Sequence, residues 1–390
     1  MLQGFGDVHA RAQRNGARDG TPLLISLVRG PDARINMFFR FSWISSNRPR
    51  TWRRYAYTLV VWLNFLERRG RSWSDVTARD YYDFKHWRMT DSHNPNRVGA
   101  MSFDTDRAAL SSFYRWASSE YGVLNPIPTR PVQDKPTRGQ VRSRRMPDRP
   151  AGSPRRDPKW LLRQAFEQWR DVGLRGYEFD GRRPDHWRGF NEDRDAAFVD
   201  GLYGTGLRLT EWATILDVEL PQPGTSGRFP RAWLARECAK GGRYGRSYRI
   251  PRAVVKAVTG YMDPLEGSRA EAIGRAQRAG RYERLSSAQI VTGHNPHSRT
   301  VRVLTARGDT WLSLNALNET DRLRLFRRTP AGLEPLAVWL SSNGMPRQAH
   351  SWENTFRSAN ARVADAWVRA GTPELTGMER DRRRVLCPLP

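Results

Sequence analysis

Apolar positions recur at three- and four-residue steps from Trp52 through Tyr55, Leu59, Trp62, Leu63 and Leu66. That spacing is the period of one helical face. Gly70 follows, in the usual place of a glycine that closes a helix. Arg53, Arg54, Arg68 and Arg69 fall off the stripe, so one helix carries a core face and a cationic face. A second stripe runs through Val76, Tyr81, Phe84 and Trp87, and a third through Leu110, Phe113, Ala117 and Tyr121, stopping near Gly122. Three or four such helices joined by short polar turns predict a small helical bundle over about residues 34–128. Residues 1–33, rich in Gly, Arg and Asp, show no period and are expected to form an N-terminal arm.

The pattern then breaks. Prolines at 126, 128, 131, 136, 147, 150, 154 and 158 alternate with Arg130, Lys135, Arg138, Arg142, Arg144, Arg145, Arg149, Arg155 and Arg156. Proline blocks regular backbone hydrogen bonding and the charges resist burial, so residues 129–158 read as a basic linker able to track a phosphate backbone. A passive solvated tether has the same composition. Helical stripes resume with Trp160, Leu161, Ala165, Phe166 and Trp169, and again with Ala196, Val199, Leu202 and Tyr203. Around 230–251 the period shortens: Trp233-Leu234-Ala235 and Tyr248-Arg249-Ile250 predict two short strands about the turn GGRYG. Val254, Val255, Val258 and Tyr261 predict a helix, 266–282 and 283–330 read as insertions, and 351–370 predicts a last helix. The expected class is mainly α with a small antiparallel β-sheet (α+β).

Charge narrows the function. Lys plus Arg total 66 against 40 acidic residues, a net charge of +26. Such a surplus repels itself unless a polyanion lies against it, and neutralising nucleic-acid phosphates releases counterions that drive binding. Only Lys85, Lys135, Lys159, Lys240 and Lys256 are lysines, an arginine bias typical of a GC-rich genome. Two cysteines, Cys238 and Cys387, make neither a disulfide framework nor a metal spacing. No apolar run has the length of a membrane span, and a cytoplasmic protein is expected.

The candidate chemistry centres on YGTGLRLTE, residues 203–211. Gly204 and Gly206 permit a tight turn between two helices. Arg208 then stands at the junction, near a helix start that favours an anion, and a guanidinium can hold a phosphate bidentately. Glu211, three residues on, either braces that guanidinium or caps the helix. The run RDAAFVDGLYGTGLRLTEWATILDVEL, residues 194–220, resembles the first active-site box of the tyrosine recombinases, the phage integrases. The resemblance implies that 34–128 is a helical core-binding, SAM-like DNA-binding domain and that 159–374 is a partial catalytic domain of integrase type. AKGGRYGRSYRIP, residues 239–251, resembles the family's β-hairpin, whose lysine enters the minor groove. By that resemblance Lys240 protonates the leaving 5′ oxygen, chemistry an ammonium can do and a guanidinium cannot. The same hairpin carries Arg243 and Arg246 as candidate DNA contacts, beside Arg53, Arg54, Lys135, Arg138, Arg142, Arg144 and Arg145.

The family's second box, His-x-x-Arg followed by a tyrosine nucleophile, is not matched. No histidine here has an arginine three residues on, and Tyr282 is the last tyrosine. Residues 351–370 resemble the segment that precedes that box, and the ending GMERDRRRVLCPLP, within 375–390, has no pattern. It reads as a frameshifted or truncated end. The resulting expectation is a recombinase-family protein that binds double-stranded DNA but does not cleave it alone. It would use no cofactor, metal, membrane or small-molecule substrate, and other recombinase protomers would join it on DNA at a bacterial nucleoid. The alternative is a non-catalytic module that occupies attachment sites and regulates an intact recombinase. A metal-dependent nuclease or transposase would need clustered carboxylates, and the acidic residues are scattered.

Overall fold

The computed structural model describes residues 20–27, 30–47, 49–128, 150, 161–221, 227–239, 244–305 and 308–371. The chain divides into two compact units, Met1–Lys159 and Trp160–Pro390.

The first unit is a helical bundle of α1 (Ala33–Phe41), α2 (Pro49–Arg68), α3 (Ala78–Met89) and α4 (Ala100–Tyr121). Local chemistry sets the ends. Asp32 caps α1 by accepting the Arg34 N–H at 2.9 Å. Thr77 and Asp80 form a reciprocal capping box at the start of α3. Gly122 closes α4 in the left-handed region, at φ 67°. The stripes seen in the sequence converge: Trp52, Leu59, Trp62, Tyr81, Phe84, Phe103, Leu110 and Phe113 are all buried. Each aromatic or aliphatic side chain so buried stabilises the bundle by about 1.5–3 kcal/mol. Polar tips inside are tied together in part: Trp62 Nε1 donates to the Tyr114 hydroxyl at 2.8 Å, which donates to the Trp73 carbonyl at 3.1 Å.

The bundle also contains a buried ionic knot. Asp106 of α4 accepts from Arg54 of α2 at 2.6 Å, from Thr58 of α2 at 2.8 Å and from Arg88 of α3 at 3.1 Å. One carboxylate thus joins three helices.

In the second unit, α5 (Arg163–Arg175) packs against the last helix. Next come α6 (Glu192–Thr205), the short α7 (Leu209–Ala213) and the antiparallel pair β1 (Arg231–Leu234) and β2 (Arg246–Arg249). α8 (Arg252–Tyr261) and α9 (Ser268–Arg278) follow, and α11 (Trp352–Arg369) is the last helix among the described residues, after the four-residue α10 (Glu319–Arg322). Close contact between α5 and α11 depends on Gly173, where an added Cβ would come within 3.1 Å of the Ala359 Cβ.

The sequence reading expects one small antiparallel sheet; a second, larger one is present. β3 (Gln289–Asn295), β4 (Thr300–Thr305), β5 (Gly308–Ser313), β6 (Leu325–Thr329) and β7 (Gly332–Pro335) form a five-stranded sheet in the order β5-β4-β3-β6-β7. β3 and β6 run parallel and the other pairs antiparallel. The fold is therefore mixed α/β. The segment read as an insertion contributes Val291, Val301, Val303, Leu314, Leu317 and Leu325 to a core that also takes in Leu336 and, from just beyond α7, Leu216. Buried charges tie the sheet to that region: Arg322 donates to the Thr214 carbonyl at 2.9 Å and pairs with Glu219.

Candidate phosphate-binding site

Gly206, left-handed at φ 64°, ends α6 and turns the chain. Thr205 steadies the turn by donating to the Gly201 carbonyl at 2.6 Å and accepting the Leu207 N–H at 3.2 Å. Arg208 is extended and α7 begins after it. The floor beneath is tight: a Cβ on Gly201 would lie 2.0 Å from the Trp212 ring, so only glycine lets the indole of α7 pack there. Trp212 is fully buried, and its carbonyl accepts from Trp339 Nε1 at 2.9 Å.

Glu211 does both things the sequence left open. Its Oε2 accepts the Arg208 backbone N–H at 3.0 Å and its Oε1 accepts from the Arg208 guanidinium at 3.1 Å. Arg246, from β2, reaches the same carboxylate, donating to Oε2 at 2.7 Å. Glu211 is 1% exposed, whereas the Arg208 and Arg246 side chains are 37% and 50% exposed. One sunken carboxylate therefore sets two guanidinia side by side at the surface, and charge-assisted bonds of this type are the strong ones. The cluster keeps a net positive charge. Arg208 Nε is buried with no hydrogen-bond partner among the described residues.

One part of the expectation needs correcting. The helix after Arg208 has five residues, and the backbone N–H at its start is already taken by Glu211. So short a helix adds little dipole, and the exposed cationic groups at this spot are the two guanidinia.

The other candidate residues separate into three groups. Arg53 is exposed on α2, as the stripe implies. Arg54 is not a free surface cation: it is held by Asp106 and also donates to the Ser102 carbonyl. The partner lies 52 residues away, which no local pattern reveals. Lys240, Arg243, Lys135, Arg138, Arg142, Arg144 and Arg145 lie outside the described residues, as do the expected linker core and the 375–390 ending. Sequence reasoning placed Arg246 on the hairpin but missed its bond to Glu211. The one available signal was an acidic residue amid the apolar Leu207, Leu209 and Trp212.

The tyrosines after the hairpin sit deep in the fold. Tyr282 is fully buried, its hydroxyl donates to the Gly344 carbonyl at 2.7 Å, and burial pushes its ionisation up. Tyr261 is likewise buried and is pushed up to about 12 by burial. Among the described residues no group of three or more His, Cys, Asp or Glu could hold a metal ion, and no helix is long and apolar enough to cross a membrane.

Residues 35–121, which span α2 to α4 and most of α1, match the family model of the phage integrase N-terminal SAM-like domain. This match supports the phage integrase, or tyrosine recombinase, family. No curated protein sequence matches the chain. The integrase match covers the first unit's bundle and does not extend to the Arg208 box.

Proposed function

We propose that this chain binds double-stranded DNA as a tyrosine-recombinase-type protein, holding a backbone phosphate between Arg208 and Arg246, and that alone it does not break the strand. The observation that carries the reading is the buried Glu211, which sets both guanidinia at one exposed spot. Preorganised donors of this kind suit a phosphate, whose oxygens take paired N–H bonds from guanidinium groups. The integrase-type bundle at 35–121 and the +26 charge support DNA as the polyanion.

The chemical step of a tyrosine recombinase is attack of a tyrosine oxygen on phosphorus. It forms a 3′-phosphotyrosyl bond while the 5′ oxygen leaves with a proton. Arg208 and Arg246 would neutralise the charge on the phosphate, and Lys240, by family resemblance, would supply the proton. No exposed tyrosine follows the hairpin among the described residues, and none follows Tyr282 in the sequence. Binding without cleavage follows, and an intact recombinase protomer bound beside this chain would have to supply the nucleophile.

The test is incubation of the full chain with duplex DNA flanking its own gene, followed by denaturing electrophoresis. Salt-sensitive binding without a covalent adduct is expected, and Arg208→Ala should weaken the binding. A covalent protein–DNA band would overturn the non-cleaving part of the reading. Binding that ignores both salt and Arg208→Ala would overturn the rest.

A further inference from the structure

The β1–β2 hairpin has two faces, and the grip described above uses only one of them. Side chains alternate across a strand. Ala232, Leu234 and Tyr248 point into the core. Arg231, Trp233, Ser247 and Arg249 occupy the opposite face, with Arg231 directly across from Arg249 and Trp233 across from Ser247. Two like charges facing each other across a strand pair destabilise it unless something negative lies between or above them.

Nothing in the described fold provides that charge. Arg231 and Arg249 are exposed, and Arg249 donates to the Phe229 carbonyl at 3.0 Å. A third cation joins them from the five-stranded sheet. Arg299, in the turn between β3 and β4, lays its guanidinium 3.9 Å from the centre of the Trp233 ring. Trp233 is itself fixed: its Nε1 donates to Asn315 Oδ1 at 2.8 Å, and a Cβ on Gly245 would lie 2.6 Å from its ring. Arg299 has φ 54°, the left-handed region that side chains other than glycine rarely adopt. Backbone strain of this kind persists where surroundings enforce it and gathers at functional positions.

Several inward-reaching arginines of this chain pair with carboxylates. Arg54 and Arg88 share Asp106, Arg170 pairs with Asp200, Arg269 with Glu334 and Arg322 with Glu219. Arg231, Arg249 and Arg299 have no carboxylate partner among the described residues.

We infer that Arg231, Arg249 and Arg299 form a second DNA-phosphate surface on the outer face of the hairpin, separate from the Arg208–Arg246 grip. Trp233 acts as the platform that aims Arg299, so the five-stranded sheet lends a cation to the hairpin. The inference rests on the proposed reading that the chain binds DNA, and it adds where a further stretch of backbone runs. The ligand chemistry is a polyanion with regularly spaced phosphodiesters.

The test is the affinity of the full chain for duplex DNA across a series of salt concentrations. Removing one arginine–phosphate pair should make the slope of log affinity against log salt shallower by about 0.9. The triple variant Arg231→Gln/Arg249→Gln/Arg299→Gln should show this for each arginine that touches a phosphate, while Arg299→Lys, which keeps the charge, should keep the slope. A purely structural role for Arg299 would instead move the thermal melt in both Arg299 variants and leave both slopes unchanged. If the triple variant does not fold, Arg231→Gln alone should make the slope shallower by about 0.9. An unchanged slope in a folded variant overturns the inference. So does a triple variant that no longer binds anionic vesicles while its duplex slope is intact. The control is Arg208→Ala: if its slope falls and the outer-face variants keep theirs, only the second surface is refuted. If the wild-type chain shows no salt-dependent duplex binding, the DNA reading itself fails.

Discussion

Each unit contains a buried carboxylate that takes two arginines, and the two knots differ in what they leave over. Asp106 in the helical bundle is 2% exposed at the side chain and is saturated by Arg54, Arg88 and Thr58. Arg88 is 11% exposed and spends a further donor on the Asn96 carbonyl. Glu211 is as deeply buried, yet Arg208 and Arg246 keep a third to a half of their surface in solvent. The first arrangement closes on itself and holds helices together. The second is anchored at one end and open at the other, the arrangement on which the proposed phosphate grip rests. Arg54 is as open to solvent as Arg208, 40% against 37% exposed, so what sets the first knot apart is its sunken second cation, Arg88, and its span across three helices.

The comparison can be broken most sharply at Asp106. Asp106→Ala strands Arg88 between packed helices while Arg54 keeps access to water, and removing one partner of a buried pair such as Arg88–Asp106 costs about 3–5 kcal/mol. Urea unfolding should show that loss in the transition of the helical bundle; a change within about 0.5 kcal/mol, the range of ordinary surface substitutions, would mean the knot is not structural. Glu211→Ala should cost less, about 1.5–3 kcal/mol for its bonds to charged donors, because water can reach both arginines. The same variant raises the net charge by one. If charge alone governed DNA binding it would bind more tightly; we expect weaker binding, because the guanidinia lose their brace. A tighter complex in an electrophoretic mobility assay would refute the bracing role.

Arg208 and Arg54 give the next contrast. Arg208→Ala should make the salt slope of DNA binding shallower by about 0.9 with little change in thermal stability. Arg54→Ala should do the reverse, lowering the melting temperature and leaving the slope alone.

Acid provides the smallest effect and separates the units by pH. His294, on β3, is held below its ordinary 6.5 by burial. The folded state therefore binds fewer protons than the unfolded one, so its stabilisation is full above about pH 6.5 and is lost as pH falls through the lowered value. In the bundle, burial raises Asp80, but hydrogen bonds from Thr77 and the charges of Arg71 and Arg69 outweigh it and leave the group below 3.8. Its stabilisation is present above about pH 3.8 and fails only as pH drops below that. Hydrogen exchange at pH 5 against pH 7 should thus show the second unit loosening first, and His294→Gln should remove the difference.

The helices were legible in the sequence because their stripes are long and aromatic: Trp52 to Leu66 repeats over four turns, and Gly70 and Gly122 mark two of the endings. The β1–β2 hairpin was legible from Trp233 and Tyr248 within a residue or two. The five-stranded sheet was not. Its strands span four to seven residues, β3 is interrupted by Gly293, His294 and Asn295, and β5 is exposed at five of its six positions. Only β4 alternates, through Val301, Arg302 and Val303, and the parallel β3–β6 pairing joins segments about 36 residues apart. The Arg208 box could be found because it is contiguous. Its second arginine could not, since Arg246 meets Glu211 across 35 residues of chain. Arg54 misled for the same reason: its off-stripe position is right, and the carboxylate that claims it lies far along the sequence.

The charge pair between Arg322 and Glu219 bears on how this protein could be shortened. Residues 283–330 look like a detachable ornament, and an engineer seeking a minimal DNA binder would cut there first. The cut would leave the Glu219 carboxylate and the Thr214 carbonyl without the donor that serves both, directly behind α7, and would remove the Asn315 oxygen that holds Trp233. The ornament is wired into the arginine box from behind, so cutting it away would disturb the support of the box.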